Sequence, residues 1–225
     1  MLKIEGITKC YGKKEILKGI DIEINEGQCV GIIGPNGSGK STLLSIIVGI
    51  LKADSGSVTL DGQIGYVPQD NALMEELTVK DNLEYWCVAY NKNLKQVLEE
   101  ETYIKALGIC EMLGQKVKKL SGGMKKRVNI AIALINHPKY IILDEPCSAL
   151  DIIYKNEVID YLLSLKEMGK TILYTSHSGD EIERLCDKIC ILKEGNILRE
   201  ETIPSLRATF GNDLTFDEMV YRLLR

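Results

Sequence analysis

The sequence lacks an excess of basic residues and has no long apolar run. Its 225 residues carry 28 Lys and Arg against 32 Asp and Glu, which gives a formal net charge of −4. A chain without a basic excess has little to neutralise phosphates, so we expect no nucleic-acid partner. No apolar run approaches the roughly 18 residues that a membrane-spanning helix needs. These absences argue against a nonspecific nucleic-acid-binding protein and against an integral membrane protein.

Targeting and metal-binding patterns are missing as well. Residues Met1–Glu5 contain no apolar segment like that of a signal peptide, which predicts a cytosolic chain. The seven cysteines are scattered, and Cys186 and Cys190, one helical turn apart, have no second pair of ligands beside them. We therefore expect buried, reduced thiols, although Cys29 and Cys147 flank motifs described below and could be sensitive to oxidation.

The most informative feature present is the stretch Gly34-Pro35-Asn36-Gly37-Ser38-Gly39-Lys40-Ser41-Thr42, which fits G-x-x-x-x-G-K-[ST]. A predicted strand, Cys29–Ile33, precedes it and a predicted helix, Leu43–Val48, follows, which is the context of a phosphate-binding loop. Glycines let backbone N–H groups surround phosphate oxygens, and the helix N-terminus adds partial positive charge. Lys40 can reach the β- and γ-phosphates, and the Ser41 hydroxyl can bind Mg²⁺.

Predicted strands alternate with predicted helices, which indicates an α/β fold with a mostly parallel sheet. Alternating apolar residues up to Ile24 predict an N-terminal antiparallel β region, and helical spacing across residues 78–116 predicts a helical insert. Further helices are predicted at Met124–Asn136 and Glu157–Met168. The later predicted strands are Val58–Gly62, Ile64–Val67, Tyr140–Leu143, Thr171–Thr175 and a hairpin around Glu194-Gly195.

The apolar strand Tyr140–Leu143 runs into Asp144 and Glu145, which places two carboxylates at the carboxyl end of a strand. Ligands of open α/β folds bind at this edge of the sheet. We expect Asp144 to hold Mg²⁺, directly or through water, and Glu145 to polarise the water that attacks the γ-phosphate. Taken alone the pair would be an acidic surface turn, but a phosphate loop in the same chain favours the functional interpretation.

Four other residues or segments have two interpretations each. His177 and Gln69 both follow predicted strands, where they could contact the γ-phosphate, Mg²⁺ or water, yet single residues of these types are more often structural or surface groups. Ser121-Gly122-Gly123 precedes a helix, either as a plain cap or as a second anion site. Tyr11 lies in a polar turn, where it could stack on adenine or have no role.

Together these motifs resemble the nucleotide-binding subunit of an ATP-binding cassette (ABC) transporter, over nearly the whole chain to about residue 200. The likeness follows the family order. Tyr11 matches the adenine-stacking aromatic, Gly34–Thr42 matches Walker A, and Gln69 matches the Q-loop. Leu120–Met124 matches the signature and Tyr140–Glu145 matches Walker B. Ser148–Asp151 matches the D-loop and His177 matches the switch histidine.

The resemblance implies a P-loop ATPase of the ABC type with ATP and Mg²⁺ as ligands. Catalysis is expected from Lys40, Gln69, Glu145 and His177, and Mg²⁺ binding from Ser41, Gln69 and Asp144. ATP would be bound by Tyr11, by Gly34, Pro35, Asn36, Gly37, Ser38, Gly39, Lys40, Ser41 and Thr42, and by Ser121, Gly122 and Gly123 of a second subunit.

The resemblance also implies a single domain over residues 1–225. Its core is expected at 1–69 and 137–200, a helical subdomain at about 70–136, and a helical tail at 201–225. The expected partners are a second ABC subunit, identical or different, and an integral membrane permease at the inner face of the cell membrane. A helix of that permease would dock on a groove lined by Asp70, Asn71, Leu73, Met74 and Leu77.

The sequence departs from the usual family pattern at three places. Met124, followed by Lys125-Lys126-Arg127, stands where Gln is usual and is similar to the exporter branch called ABC-2. Pro146 is followed by Cys147 rather than Thr, and Gly62–Gln69 is short, so the antiparallel region is expected to lack its usual long hairpin. The function implied is to energise export through ATP-driven dimerisation. The alternative is a soluble ABC ATPase that serves as a scaffold or clamp in cofactor assembly or signalling.

Overall fold

The computed structural model describes residues 1–211 and 213–224, so residues 212 and 225 of the expected C-terminal tail lie outside the described part. The strands are β1 Leu2–Tyr11, β2 Lys14–Ile24, β3 Cys29–Ile33, β4 Ser55–Thr59, β5 Ile64–Val67, β6 Tyr140–Asp144, β7 Thr171–Thr175, β8 Lys188–Lys193 and β9 Asn196–Thr202. The helices are α1 Lys40–Ile47, α2 Val79–Ala89, α3 Leu94–Glu100, α4 Thr102–Ala106, α5 Gly122–Leu134, α6 Ile152–Glu167, α7 Gly179–Leu185, α8 Ile203–Phe210 and α9 Phe216–Leu224.

The strands form two sheets. A three-stranded antiparallel sheet has the order β2-β1-β4, and a six-stranded sheet has the order β5-β6-β7-β3-β8-β9. Within the larger sheet every neighbouring pair is parallel except β8 and β9, which form a hairpin. The predicted α/β fold with a mostly parallel core sheet and an N-terminal antiparallel region is therefore confirmed.

The core sheet separates two hydrophobic clusters. Successive strand residues point to opposite faces, and along β6 Ile141 and Leu143 enter one cluster while Tyr140 and Ile142 enter the other. The first cluster also contains the apolar side chains of α2, α5 and α6, whereas the second contains those of α1 and of the antiparallel sheet. Burial on both faces explains why β3, β6 and β7 are apolar throughout in the sequence.

Three helices begin earlier than their apolar periodicity predicts. Helix α1 begins at Lys40 instead of Leu43 without a side-chain cap, whereas polar caps set the starts of the other two. Helix α5 begins at Gly122 instead of Met124, and the Ser121 hydroxyl accepts a hydrogen bond from the Met124 N–H at 3.3 Å. Helix α6 begins at Ile152 instead of Glu157, since the Asp151 carboxylate accepts bonds from two N–H groups of its first turn. Strand β4 also differs from its prediction, since it spans Ser55–Thr59 instead of Val58–Gly62.

The parallel strands bring the carboxyl ends of β3, β5, β6 and β7 to one edge of the sheet. The glycine-rich stretch follows β3, Gln69 follows β5, Glu145 follows β6 and His177 follows β7. Because β7 lies between β3 and β6, its carboxyl end is placed between the glycine-rich loop and the two carboxylates. This edge of the sheet therefore gathers residues that the sequence predicts for the site.

We predict that Gly65→Ala destabilises the protein. A Cβ atom at Gly65 would come within 2.4 Å of the Ala133 carbonyl oxygen and 2.7 Å of Pro138, so β5 and the end of α5 would have to separate. Overpacking of this kind costs about 1–3 kcal/mol. The matched control is Gly114→Ala, where nothing lies within 4 Å. Urea unfolding measures both variants, and an unchanged midpoint for Gly65→Ala would contradict the close packing of β5 on α5.

Candidate nucleotide site

The glycine-rich loop joins β3 to α1 in a conformation that glycine makes accessible. Gly39, directly before the helix, has φ = 109°, a value that L side chains rarely adopt. A Cβ atom at Gly34 would come within 2.0 Å of the Leu192 carbonyl oxygen, so the loop passes directly over β8. No side chain caps α1, which leaves its first N–H groups for a ligand, as the sequence predicts for an anion-binding helix start.

Lys40 lies folded back over the loop that precedes it. Its Nζ donates to the Gly34 carbonyl at 2.8 Å and to the Pro35 carbonyl at 3.3 Å. Burial lowers the pKa of Lys40, while the nearby Glu145 and Asp144 carboxylates act in the opposite direction. The ammonium group thus lies in the field of both acidic residues, at the position from which a lysine binds phosphate.

Asp144 and Glu145 are held by Thr175 on the neighbouring strand. The Thr175 hydroxyl donates to Asp144 Oδ1 at 2.7 Å and accepts from the Glu145 N–H at 2.9 Å. Asp144 is buried, and its second oxygen, Oδ2, has no hydrogen-bond partner in the described structure. Glu145 has φ = 49°, a left-handed conformation that is uncommon for a residue other than glycine and that clusters at functional sites.

His177 lies against Glu145. Its Nε2 is 2.7 Å from Glu145 Oε1, while the histidine side chain is half exposed and the glutamate side chain is largely buried. The carboxylate and the imidazole come from the ends of adjacent strands, β6 and β7. The structure thus brings together at this edge the carboxylate and the imidazole that the sequence predicts there.

Gln69 is exposed and lies at the same edge, where Lys126 of α5 holds its backbone. The buried Lys126 Nζ donates to the Pro68 carbonyl at 2.9 Å and to the Gln69 carbonyl at 2.8 Å. Burial lowers the pKa of Lys126, and the charge of Asp144 raises it. The end of β5 is therefore attached directly to the helix that begins at Ser121-Gly122-Gly123.

Lys40, Gln69, Glu145 and His177 line one open cavity of about 590 Å³. The cavity contains a lysine, a carboxylate, an imidazole and an amide beside free helix N–H groups, which suits a polyphosphate and its hydrolysis. Its lining residues are Lys14, Ile16, Asn36, Gly37, Gly39, Lys40, Ser41, Thr42, Gln69, Glu145 and His177.

Several of the sequence-predicted site residues lie outside this lining, namely Gly34, Pro35, Ser38, the buried Asp144, Tyr11, and Ser121, Gly122 and Gly123. Tyr11 is exposed but pairs across the β1–β2 hairpin with Lys14, so it lies beside a lining residue. Ser121 and Gly122 are exposed, and Ser121 serves as the cap of α5. The structure thus brings the phosphate loop, Gln69, Glu145 and His177 together, but does not bring Ser121, Gly122 and Gly123 to the same cavity.

Sequence reasoning missed several residues that shape the site. Thr175 and Lys126 hold the catalytic candidates, and Lys14 and Ile16 line the cavity. A signal for Thr175 existed, since it directly precedes Ser176-His177 at a strand end. Lys126 gave no such signal, because lysines in a basic run are most often solvent-exposed.

The two cysteines near the motifs are poor candidates for oxidation. Cys29 and Cys147 are both buried. Burial raises the pKa of Cys147 to about 12 and raises the pKa of Cys29 well above its ordinary value, which keeps both thiols protonated. The expected sensitivity to oxidation is not supported by their surroundings.

Comparison with known proteins agrees with this geometry. The family model described as "ABC transporter" matches residues 17–148. The chain is similar to the linearmycin resistance ATP-binding protein LnrL of Bacillus subtilis, with 38% identity over 95% of this chain and 73% of that protein. It is also similar to the Nod factor export ATP-binding protein I of Rhizobium etli, with 35% identity over 86% of this chain and 66% of that protein.

The chain is also similar to a solved structure over most of the length of both proteins. It is a dimeric ATP-binding cassette in a post-hydrolysis state bound to ADP and phosphate, with 31% identity and a TM-score of 0.81 over 90% of this chain and 99% of that chain. The family match covers more than half of the sequence, and the fold and motif order agree with it. The chain therefore belongs to the ABC transporter family, as an ATP-binding subunit that hydrolyses ATP.

Proposed function

We propose that the chain energises export by binding ATP between two cassettes and hydrolysing it, while attached to an integral membrane permease at the inner face of the membrane. The observation that carries this proposal is the cavity in which Lys40, Gln69, Glu145 and His177 meet beside the glycine-rich loop. The name of the Nod factor export relative supports export. The soluble scaffold or clamp is not favoured, because the relatives are ATP-binding proteins named for Nod factor export and for linearmycin resistance.

In this mechanism the ATP phosphates lie on the loop 34–42, with Lys40 contacting the β- and γ-phosphates. Glu145 accepts a proton from the attacking water, and His177, 2.7 Å from its carboxylate, orients that carboxylate and contacts the γ-phosphate. Adenine stacks on Tyr11, which is 54% exposed beside the cavity. ATP does work on the permease because it binds the closed pair of cassettes better than the open pair.

The residues present suit Mg²⁺. In the described residues no group of three or more His, Cys, Asp or Glu side chains could hold a metal by itself. Mg²⁺ instead takes few protein ligands together with substrate phosphates, and the buried Asp144 Oδ2 is an oxygen without a partner. Asp144, the Ser41 hydroxyl and Gln69 would hold the ion, which neutralises developing phosphate charge when bound.

A second copy or a different cassette supplies the missing side of the site. Ser121 and Gly122 are exposed at the start of α5, outside the cavity of their own chain. Ser121 caps the Met124 N–H, and the earlier N–H groups of α5, at Gly122 and Gly123, can contact the γ-phosphate held by the partner cassette. In this proposal each chain is one cassette domain, with core, helical subdomain and tail divided as the sequence predicts, and two cassettes work together.

The permease docks beside Gln69. Asp70, Asn71 and Leu77 are exposed, and Leu73 and Met74 are half buried. We call residues 70–77 the docking segment. The buried Asn82 of α2 holds it by accepting a hydrogen bond from the Met74 N–H at 2.9 Å and donating one to the Met74 carbonyl at 3.1 Å. A docked helix here would contact the segment that directly follows Pro68 and Gln69, whose carbonyl groups bind Lys126 of α5. No helix in the described structure is long and apolar enough to cross a membrane, and the proposal assigns that part to the permease.

We predict that Lys40→Ala loses ATP binding, with a dissociation constant raised at least about 10-fold because a charged hydrogen-bond donor contributes about 1.5–3 kcal/mol. Isothermal titration with ATP and Mg²⁺ measures the change. Lys13→Ala is the control, since Lys13 is exposed and is not among the residues that line the cavity. An affinity within twofold of the original for Lys40→Ala would contradict the assigned phosphate contact.

We predict that Glu145→Gln binds ATP but does not turn it over, and that it accumulates as a dimer. The amide keeps the side-chain volume but cannot accept the proton of the attacking water. Light scattering after gel filtration with ATP and Mg²⁺ measures the dimer, and phosphate release measures turnover. Glu157→Gln, exposed on α6, is the control. Normal hydrolysis by Glu145→Gln would refute its role as the base.

We predict that tagged Glu145→Gln, purified from detergent-solubilised native membranes with ATP and Mg²⁺, recovers an integral membrane protein in stoichiometric amount. Adding Leu77→Asp places a charge in the exposed part of the docking segment and should remove that protein while ATP binding is retained. Recovery of soluble partners alone would favour the scaffold or clamp function and would withdraw the docking segment.

A further inference from the structure

The two serines that flank His177 are both held by hydrogen bonds. Ser176 Oγ donates to Glu181 Oε2 at 2.6 Å and accepts from the Ser178 N–H at 3.0 Å. Lys155 Nζ donates to Ser178 Oγ at 3.2 Å. The imidazole between these serines is half exposed, so the backbone on either side of it is more tightly fixed than the ring itself.

Glu181 is the centre of these contacts. It lies on the first turn of α7, is 6% exposed, and accepts from the Tyr174 hydroxyl at 2.8 Å as well as from Ser176. Lys155 of α6 forms an ion pair with its other oxygen at 2.6 Å. A buried carboxylate is costly unless it is paired and hydrogen-bonded, and this one has partners on both oxygens.

This network joins three elements next to the catalytic candidates. Tyr174 lies near the end of β7 and Ser176 follows that strand directly. Glu181 belongs to α7, and Lys155 belongs to α6, four residues after its cap Asp151. Lys155, Ser176, Ser178 and Glu181 line a second cavity of about 460 Å³, which shares Glu145 and His177 with the nucleotide cavity. The side of the Glu145–His177 pair that faces away from the glycine-rich loop is therefore built from this network.

We propose that Glu181 is a positioning residue for ATP hydrolysis, which fixes the backbone around His177 through Ser176, Ser178 and Lys155 and so holds the imidazole against Glu145. This inference rests on the proposed roles of His177 and Glu145. The physical reason is that a half-exposed ring on a short connection between β7 and α7 keeps one orientation only if its flanking backbone is fixed. A displacement of about 1 Å can lower a rate about 100-fold.

The test compares two isosteric variants on the same helix. Glu181→Gln removes the charge but keeps the volume and one acceptor. Glu183→Gln also breaks an ion pair, the one between Glu183 and Arg207 at 2.5 Å. That pair connects α7 to α8 and does not contact the His177 segment. For Glu181→Gln we expect kcat to fall about 10- to 100-fold, with KM for ATP and the thermal midpoint nearly unchanged. Glu183→Gln should retain the original kcat.

A spectroscopic readout separates positioning from general stability. The chain contains two histidines, His137 and His177, so their imidazole NMR signals can be assigned with one His137 variant. Glu181→Gln should shift or broaden the His177 signal and leave His137 unchanged. If Glu181→Gln does not fold, Lys155→Met replaces it, because this change removes the same ion pair from a side chain that is 30% exposed. Lys155→Met should then lower kcat, and Lys155→Arg, which keeps the positive charge, should have the original kcat.

The outcomes distinguish this inference from the function on which it rests. If His177→Ala retains full activity, the proposed role of His177 fails. If His177→Ala is inactive while folded Glu181→Gln keeps its kcat and its His177 signal, the positioning role alone is overturned. The positioning role is also overturned if kcat falls only in proportion to the thermal midpoint and Lys155→Arg loses as much kcat as Lys155→Met.

Discussion

The structure depends most on the hydroxyl of Thr175, which joins two strands at the point where both carboxylates emerge. The parallel register places Thr175 opposite Asp144, and the hydroxyl bonds both the Asp144 carboxylate and the Glu145 N–H. The left-handed backbone of Glu145 costs about 1–3 kcal/mol and persists where surrounding bonds determine it. The two bonds from the Glu145 N–H to Thr175, to its hydroxyl and to its carbonyl oxygen, supply that constraint. The catalytic geometry therefore follows from strand pairing before any ligand is bound.

Strand pairing is also the reason that much of this site could be predicted from the sequence. A parallel sheet aligns the carboxyl ends of its strands, so residues that follow apolar runs meet at one edge. That argument brought the loop 34–42, Gln69, Glu145 and His177 together without any structural information, and they line one cavity. The same argument fails for Ser121, Gly122 and Gly123, because they precede a helix and their proposed ligand belongs to another subunit.

What could not be predicted is the set of side chains that hold the candidates in place. Lys126 and Glu181 are buried charges, and nothing in a single sequence separates them from the solvated charges beside them. The partners of Lys126 are the backbone carbonyls of Pro68 and Gln69, and those of Glu181 are Tyr174 and Ser176 at the end of β7 and Lys155 of α6. Such contacts are fixed by tertiary packing. Helix starts were missed for a related reason, since caps at Ser121 and Asp151 precede the apolar pattern.

Helix α5 connects the cavity to the docking segment at residues 70–77, and this has a mechanical consequence. Its N-terminus carries exposed Ser121 and Gly122, its Lys126 holds the backbone of Gln69, and its Asn129 amide donates to Asn71 at 2.7 Å in the docking segment. Packed helices transmit displacement because interiors resist compression. A displacement of Gln69 by a γ-phosphate must therefore move the docking segment and the start of α5 together, or break the buried bonds of Lys126. Breaking those bonds would leave a buried ammonium group unpaired, at a cost of about 1–3 kcal/mol or more, so joint movement is the favoured response.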